Sequence, residues 1–370
     1  MKHLLYIFLF CVCSSSIITG CSHEHNPILM SVQKDMDLNP DSISDVLLSI
    51  DTTKLNKHDK ATFILLLTQS LHKSNRLSTD TINIDYALSY FNKQGEDRDK
   101  LMANFYKGVL LRYKNDNEGA VYYTLRAYEI ACKINDYYWI AKTSEGIADI
   151  YANSYLPENS WEYNKKAIQF YQRAGRIDNH RYAWADYGLS LFNGGYRKNG
   201  IAICDSIREV AKKENDNNLW LYASEYLLYE YSENGDDQNA KTIYENLAEN
   251  PGYSFDSANK SLAARILLRS GETERGEKLL SEAQKEMISL YDSMEYYYSV
   301  REFAQFKKDY FLRSTIMDTL LMLQNENVKE ALRQPLYKGK SNYFFNKTEL
   351  EESKSRTRLI ILISSVIFFL

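Results

Sequence analysis

Small residues recur at a fixed interval through the middle of the chain, and no other feature of the sequence restricts its fold as tightly. Gly108, Ala148, Gly188, Leu228, Ala264 and Ala304 follow one another at steps of 40, 40, 40, 36 and 40 residues. Twelve positions after each stand Ala120, Ser160, Gly200, Ala240, Gly276 and Ile316, and seven further on Ala127, Ala167, Ile207, Leu247, Ala283 and Leu323. Small side chains at constant offsets let two antiparallel helices approach closely and let the next pair stack on them. Turn formers such as Asn115-Asp116-Asn117, Gly194-Gly195, Asn234-Gly235 and Asn215-Asp216 fall between these positions, and no alternating strand pattern intervenes. The expected fold is all-α: a right-handed solenoid of antiparallel helix pairs, followed by an apolar C-terminal helix. Such a stack offers an extended surface to a partner rather than a catalytic centre.

Charge narrows the partner. Lys and Arg number 45 against 49 Asp and Glu, and no basic run stands out, which argues against nucleic acid. The 30 tyrosines fit either helix packing with the phenol tip in water or an aromatic ligand surface. His23 and His25 lack a third metal ligand, and no Ser-His-Asp or Cys-His arrangement can be placed. The glycine turns follow no strand and precede no Lys-Ser/Thr, so they are not phosphate loops. No catalytic residue, metal or cofactor is expected. Cys132 and Cys204, each on a second helix, read as buried inert thiols two repeats apart.

Trp184, Tyr187, Gly188 and Leu191, followed by Gly200 and Ile207, make this pattern resemble the tetratricopeptide repeat, with units longer than its usual ~34 residues. The resemblance covers about residues 60 to 330. The run Leu65–Leu71, the stretch Asn83–Tyr90 and Tyr106-Lys107-Gly108 are similar to exported tetratricopeptide regulators of Gram-negative bacteria. That family implies a periplasmic array, one membrane helix and a cytoplasmic coiled coil, with or without a DNA-binding module. The tetratricopeptide register places Arg112, Tyr113, Asp149, Asn153, Tyr182, Tyr222, Glu225 and Tyr229 on the inner face, where Tyr and charged groups would suit a peptide or protein partner.

Both ends point to a membrane. Lys2, the apolar run Leu4–Gly20 and the box Ile18-Thr19-Gly20-Cys21 resemble a bacterial lipoprotein signal, with Cys21 as the lipidated residue. Leu359–Leu370 is apolar except Ser364 and Ser365, and as a helix it would span roughly 18 Å, too short to cross a bilayer core of about 30 Å. The resulting division is a signal peptide (1–20), a tether (21–40), N-terminal capping helices outside the repeat register (41–99), the repeats (100–335), a juxtamembrane helix or linker (336–358) and a partial transmembrane segment (359–370). The expected function is a non-enzymatic interaction scaffold or sensor at the cell envelope, facing the periplasm. The alternative is a nutrient-capture lipoprotein that binds glycans for an outer-membrane transporter.

Overall fold

Polar caps and left-handed turn residues fix where each helix starts and stops. The computed structural model describes residues 26–36, 38–77, 83–333 and 336–369. The signal peptide, Cys21 and the first part of the tether lie outside them. Among the described residues all regular structure is helical, and the chain divides into two compact units between Gln94 and Gly95.

The first unit holds α1 (Pro27–Asp35), α2 (Pro40–Leu48), α3 (Lys57–Lys73) and α4 (Ile84–Gln94). The expectation of a tether through residue 40 is corrected here. Asn26 caps α1 by accepting from the amides of Ile28 and Leu29, and Leu29, Val32 and Met36 are buried. Two buried side chains on the helix and a third at its C-cap hold the segment against its neighbours. The capping helices also share more of the repeat register than expected. Asn75 has φ +55° and stands 40 residues before Asn115, which has φ +58°.

The second unit contains six helix pairs. Their first helices are α5 (Asp97–Tyr113), α7 (Tyr137–Ala152), α9 (Ile177–Asn193), α11 (Asn217–Glu233), α13 (Ser257–Arg269) and α15 (Leu290–Phe306). Their second helices are α6 (Asn117–Ile134), α8 (Pro157–Arg173), α10 (Arg197–Glu214), α12 (Asp237–Ala248), α14 (Thr273–Glu286) and α16 (Tyr310–Arg333). Within pairs, Asn115, Tyr155, Gly195, Gly235, Gly271 and Lys308 all take positive φ, so one backbone turn is repeated at the period of the units. Asp116, Asp136, Asp216, Asp236 and Asp256 each cap the helix that follows. The one short step, 36 residues, coincides with α12, which has only 12 residues.

The small residues sit where their offsets imply. A Cβ placed on Gly188 would meet the Gly200 carbonyl oxygen at 3.2 Å, and one on Gly200 would meet that of Gly188 at 2.7 Å. Gly108 lies against Ala120, and Gly276 against Ala264, in the same way. Successive pairs bury a continuous core, with Ile147, Ile150, Leu219, Leu227, Leu228, Leu247 and Ile266 fully enclosed. Cys204 is buried as expected, whereas Cys132 is exposed: it falls on the outer side of α6, and both thiols are free.

The C-terminal segment, where a juxtamembrane helix or linker and then a partial span were expected, is helical and begins earlier than the sequence suggests. A single helix, α17 (Leu336–Phe369), runs through residues 338–342, where the apolar pattern loosens. The pattern loosens because this stretch packs through a glycine and polar side chains. Gly339 lies against the Glu118 backbone, Tyr343 is buried among Val121, Leu125 and Ile147, and Lys347 Nζ reaches Glu129 Oε1 at 2.5 Å. Among the described residues no helix is long and apolar enough to cross a membrane.

Candidate partner-binding face

The first helices of neighbouring units meet along one side, and there the side chains are charged or phenolic rather than aliphatic. Arg112 on α5 reaches across to α7, where its Nη1 donates to Asp149 Oδ2 at 2.7 Å. One turn earlier on α7, Lys142 Nζ lies 2.8 Å from Glu145 Oε1, and the Tyr171 hydroxyl of α8 donates to the same carboxylate. On α9, Asp186 Oδ1 accepts from the Tyr222 hydroxyl at 2.6 Å and from the Tyr226 hydroxyl at 2.9 Å, both from α11. Further along, Arg265 on α13 is nearly enclosed and binds Glu295 of α15 at 2.6 Å. Arg269 holds Glu302 through two nitrogens, at 2.9 and 2.6 Å. Arg112–Asp149, Asp186–Tyr222, Asp186–Tyr226, Arg265–Glu295 and Arg269–Glu302 each join first helices of neighbouring units, so this part of the ladder is a product of the same repeat that sets the fold.

Three carboxylates in the ladder sense each other. Burial raises the pKa of Asp186 to about 7, the charge of Asp149 adds to this, and the hydroxyls of Tyr222 and Tyr226 oppose it. Burial also raises Asp149, with Arg112 opposing and Glu145 adding to the effect. For Glu145 burial is outweighed by Lys142, by the Tyr171 hydroxyl and by Arg112, so its pKa is lowered. The Tyr222 and Tyr226 phenols, buried beside Asp186, are pushed well above their usual value.

A titration tests this assignment. With 13C-labelled aspartate in the full chain, the Asp186 carboxyl is expected to titrate near 7. Tyr222→Phe is expected to move it higher, because a hydroxyl that donates to the carboxylate favours the charged form. An Asp186 midpoint in the ordinary carboxylate range, or one lowered by Tyr222→Phe, refutes the arrangement.

The eight residues assigned to the inner face do not form one cluster. Arg112 and Asp149 are brought together as an ion pair. Tyr182 and Tyr222 are stacked edge to face, with ring centres 5.0 Å apart, and Tyr222 leads on to Asp186. Glu225 lies beside Tyr253, and burial raises its pKa, with the Tyr253 hydroxyl opposing. Tyr229 packs edge to face on Phe192 at 5.8 Å, and burial raises its phenol to about 12. Tyr113 and Asn153 are exposed at the ends of α5 and α7, outside the ladder. Sequence reasoning missed Lys142, Glu145, Asp186, Tyr226, Arg265 and Glu295. A usable signal was present: polar partners separated by about one unit, as in Asp186 and Tyr226, 40 residues apart. Among the described residues no group of three or more His, Cys, Asp or Glu side chains could hold a metal ion.

No family model matches the chain, and no curated protein matches it in sequence. Several solved structures are similar in fold. A Rap protein in complex with Competence and Sporulation Factor aligns over 89% of this chain and 98% of its own, with a TM-score of 0.61 and 12% identity. NprR in complex with its cognate peptide NprX aligns over 91% of this chain and 96% of its own, with a TM-score of 0.57 and 16% identity. The apo form of the quorum sensor NprR from B. thuringiensis aligns over 88% of this chain and 95% of its own, with a TM-score of 0.56 and 14% identity. At these identities the likeness is one of fold: an all-helical, tetratricopeptide-like array.

Proposed function

We propose that the chain is a non-enzymatic scaffold that takes a peptide, or an extended segment of a partner protein, on the face formed by its first helices. The observation that carries this reading is the ladder from Arg112 to Glu302, in which paired charges and tyrosine hydroxyls line successive units. An extended chain presents backbone donors and acceptors at regular intervals, and such a ladder can exchange its internal hydrogen bonds for bonds to that backbone. The fold likeness supports it, since NprR was solved with its cognate peptide NprX and a Rap protein with Competence and Sporulation Factor.

Selection of a random-peptide library on the full chain tests the idea. The selected peptide is expected to bind at least about tenfold more weakly to Asp186→Ala and to Arg112→Ala, because each removes a charged side chain that would itself bond the peptide. Equal binding to both variants, or displacement of the peptide by a soluble glycan, counts against it.

The reading includes an envelope anchor at Cys21, with the repeats facing the periplasm. Cys21→Ser is expected to abolish labelling by palmitate and release the chain from the membrane fraction, since a serine cannot form the thioether. Unchanged labelling in the variant rules out Cys21 as the acceptor.

A further inference from the structure

The second unit does not end at its last repeat. From the end of the array α16 runs back toward the second helix pair, and Asn327 Nδ2 lies 2.5 Å from the hydroxyl of Tyr155, the positive-φ residue between α7 and α8. The same Asn327 touches Met294 Sδ of α15 at 3.7 Å, so one side chain bridges the second pair and the sixth. Beyond it, α17 lies parallel to α6. Asn342 Nδ2 donates to Glu118 Oε1 at 3.0 Å, Asn346 Nδ2 to the Tyr122 hydroxyl at 3.2 Å, and Lys347 Nζ to Glu129 Oε1. The helices approach so closely at Gly339 that a Cβ there would stand 2.3 Å from the Glu118 carbonyl oxygen. Tyr343 supplies the apolar part of the contact, 5% exposed.

We infer that α16 and α17 form a latch that holds the array closed on itself, and that release of α17 from α6 is coupled to occupation of the ladder by a ligand. Two features of the structure give the coupling its sign. The latch is built mainly from half-exposed polar contacts around the buried ring of Tyr343, which suits a contact that comes apart and re-forms. In the latched array the ladder is paired with itself: Arg112 with Asp149, Asp186 with Tyr222, Arg265 with Glu295. All these pairs cross from one unit to the next, so the curvature that keeps α17 on α6 also keeps them closed. A ligand that takes up one member of a pair favours units turned further apart and therefore favours the unlatched array. By linkage, removing the latch raises affinity for the ligand by the same factor by which the ligand loosens the latch.

This rests on the ladder being the ligand surface, and the test separates the two ideas. The probe is the peptide selected from the random library, applied to the full chain. Gly339→Val, whose side chain cannot fit against the Glu118 backbone, is expected to bind that peptide about tenfold more tightly than the parent. In the parent, saturating peptide is expected to speed amide exchange in α17 and over Glu118–Glu129. Lys347→Glu alone is expected to act like Gly339→Val, and combining it with Glu129→Lys to restore parent affinity, which guards against a trivial loss of fold. Equal affinity of parent and Gly339→Val, with no change in exchange, overturns the latch and leaves the peptide surface standing. Failure of every folded chain to select a peptide overturns both.

Discussion

Gly200→Leu is expected to destabilise the second unit by about 3 kcal/mol or more, the upper range for overpacking a close helix contact. The first added carbon already meets the Gly188 carbonyl oxygen at 2.7 Å, Phe192 Cβ at 2.7 Å and the Phe192 amide nitrogen at 2.9 Å. Two of these three are backbone atoms, so α9 and α10 have to separate rather than a side chain swing aside. Gly188→Leu is expected to be milder, because its nearest obstacle is the Cys204 side chain at 2.7 Å. Gly252→Ala serves as the control, since a Cβ there meets nothing closer than Asn250 Oδ1 at 3.3 Å. Thermal melting of the full chain reads the result, with a fall of roughly 6–12 °C expected for Gly200→Leu. A melt equal to that of the parent disproves the pairing of Gly188 with Gly200.

The second large effect is expected from Glu230. Its side chain is fully buried on α11; Oε1 lies 3.6 Å from the Cys204 thiol, and Oε2 is without a hydrogen-bond partner. Burial raises its pKa from 4.5 to about 8, Asp205 adds to the shift and the Cys204 thiol opposes it. The folded chain therefore keeps a proton that the unfolded chain releases once the pH passes 4.5. Stability is greatest below that point, falls as pH rises toward 8, and levels off above it. At 1.36 kcal/mol per pKa unit the loss by pH 7 is about 3 kcal/mol. Glu230→Gln removes the titrating group and is expected to lose correspondingly less stability than the parent between pH 5 and 7 in urea unfolding. Parallel pH profiles for parent and variant mean that Glu230 is ionised in the folded chain.

These two residues mark how far the sequence could be read. Gly188 and Gly200 were legible because a repeated backbone contact demands a small residue at the same offset in every copy, and the copies check one another. Glu230 was not, because a glutamate in a helix reads as a solvated group unless it is counted with Leu219, Ala223 and Leu227 on the buried stripe. The candidate partner-binding face was half legible for a related reason. Arg112 and Tyr222 could be placed by register, but which acid each would meet depends on a neighbouring unit about 40 residues away. The docking of α17 left no periodic trace at all, since it uses Gly339, Tyr343, Lys347 and scattered amides. The expected tether failed on length: a nine-residue helix that buries only Leu29 and Val32 is too short for a pattern to stand out from a linker.

The return of α17 to α6 also separates the steps by which this chain acquires its structure. Contacts between first helices along the ladder join residues 30 to 40 apart, as in Arg265 with Glu295 and Asp186 with Tyr226. Those of the C-terminal helices join residues 172 to 224 apart, as in Asn327 with Tyr155 and Asn342 with Glu118. Short loops close quickly and long ones slowly, so the units assemble one upon another before α17 docks. Until then α6 waits with its docking side uncovered. During that interval Val121 and Leu125, which Tyr343 later helps to cover, face solvent on a folded surface, and a helix from a second molecule with the same sequence can occupy their place.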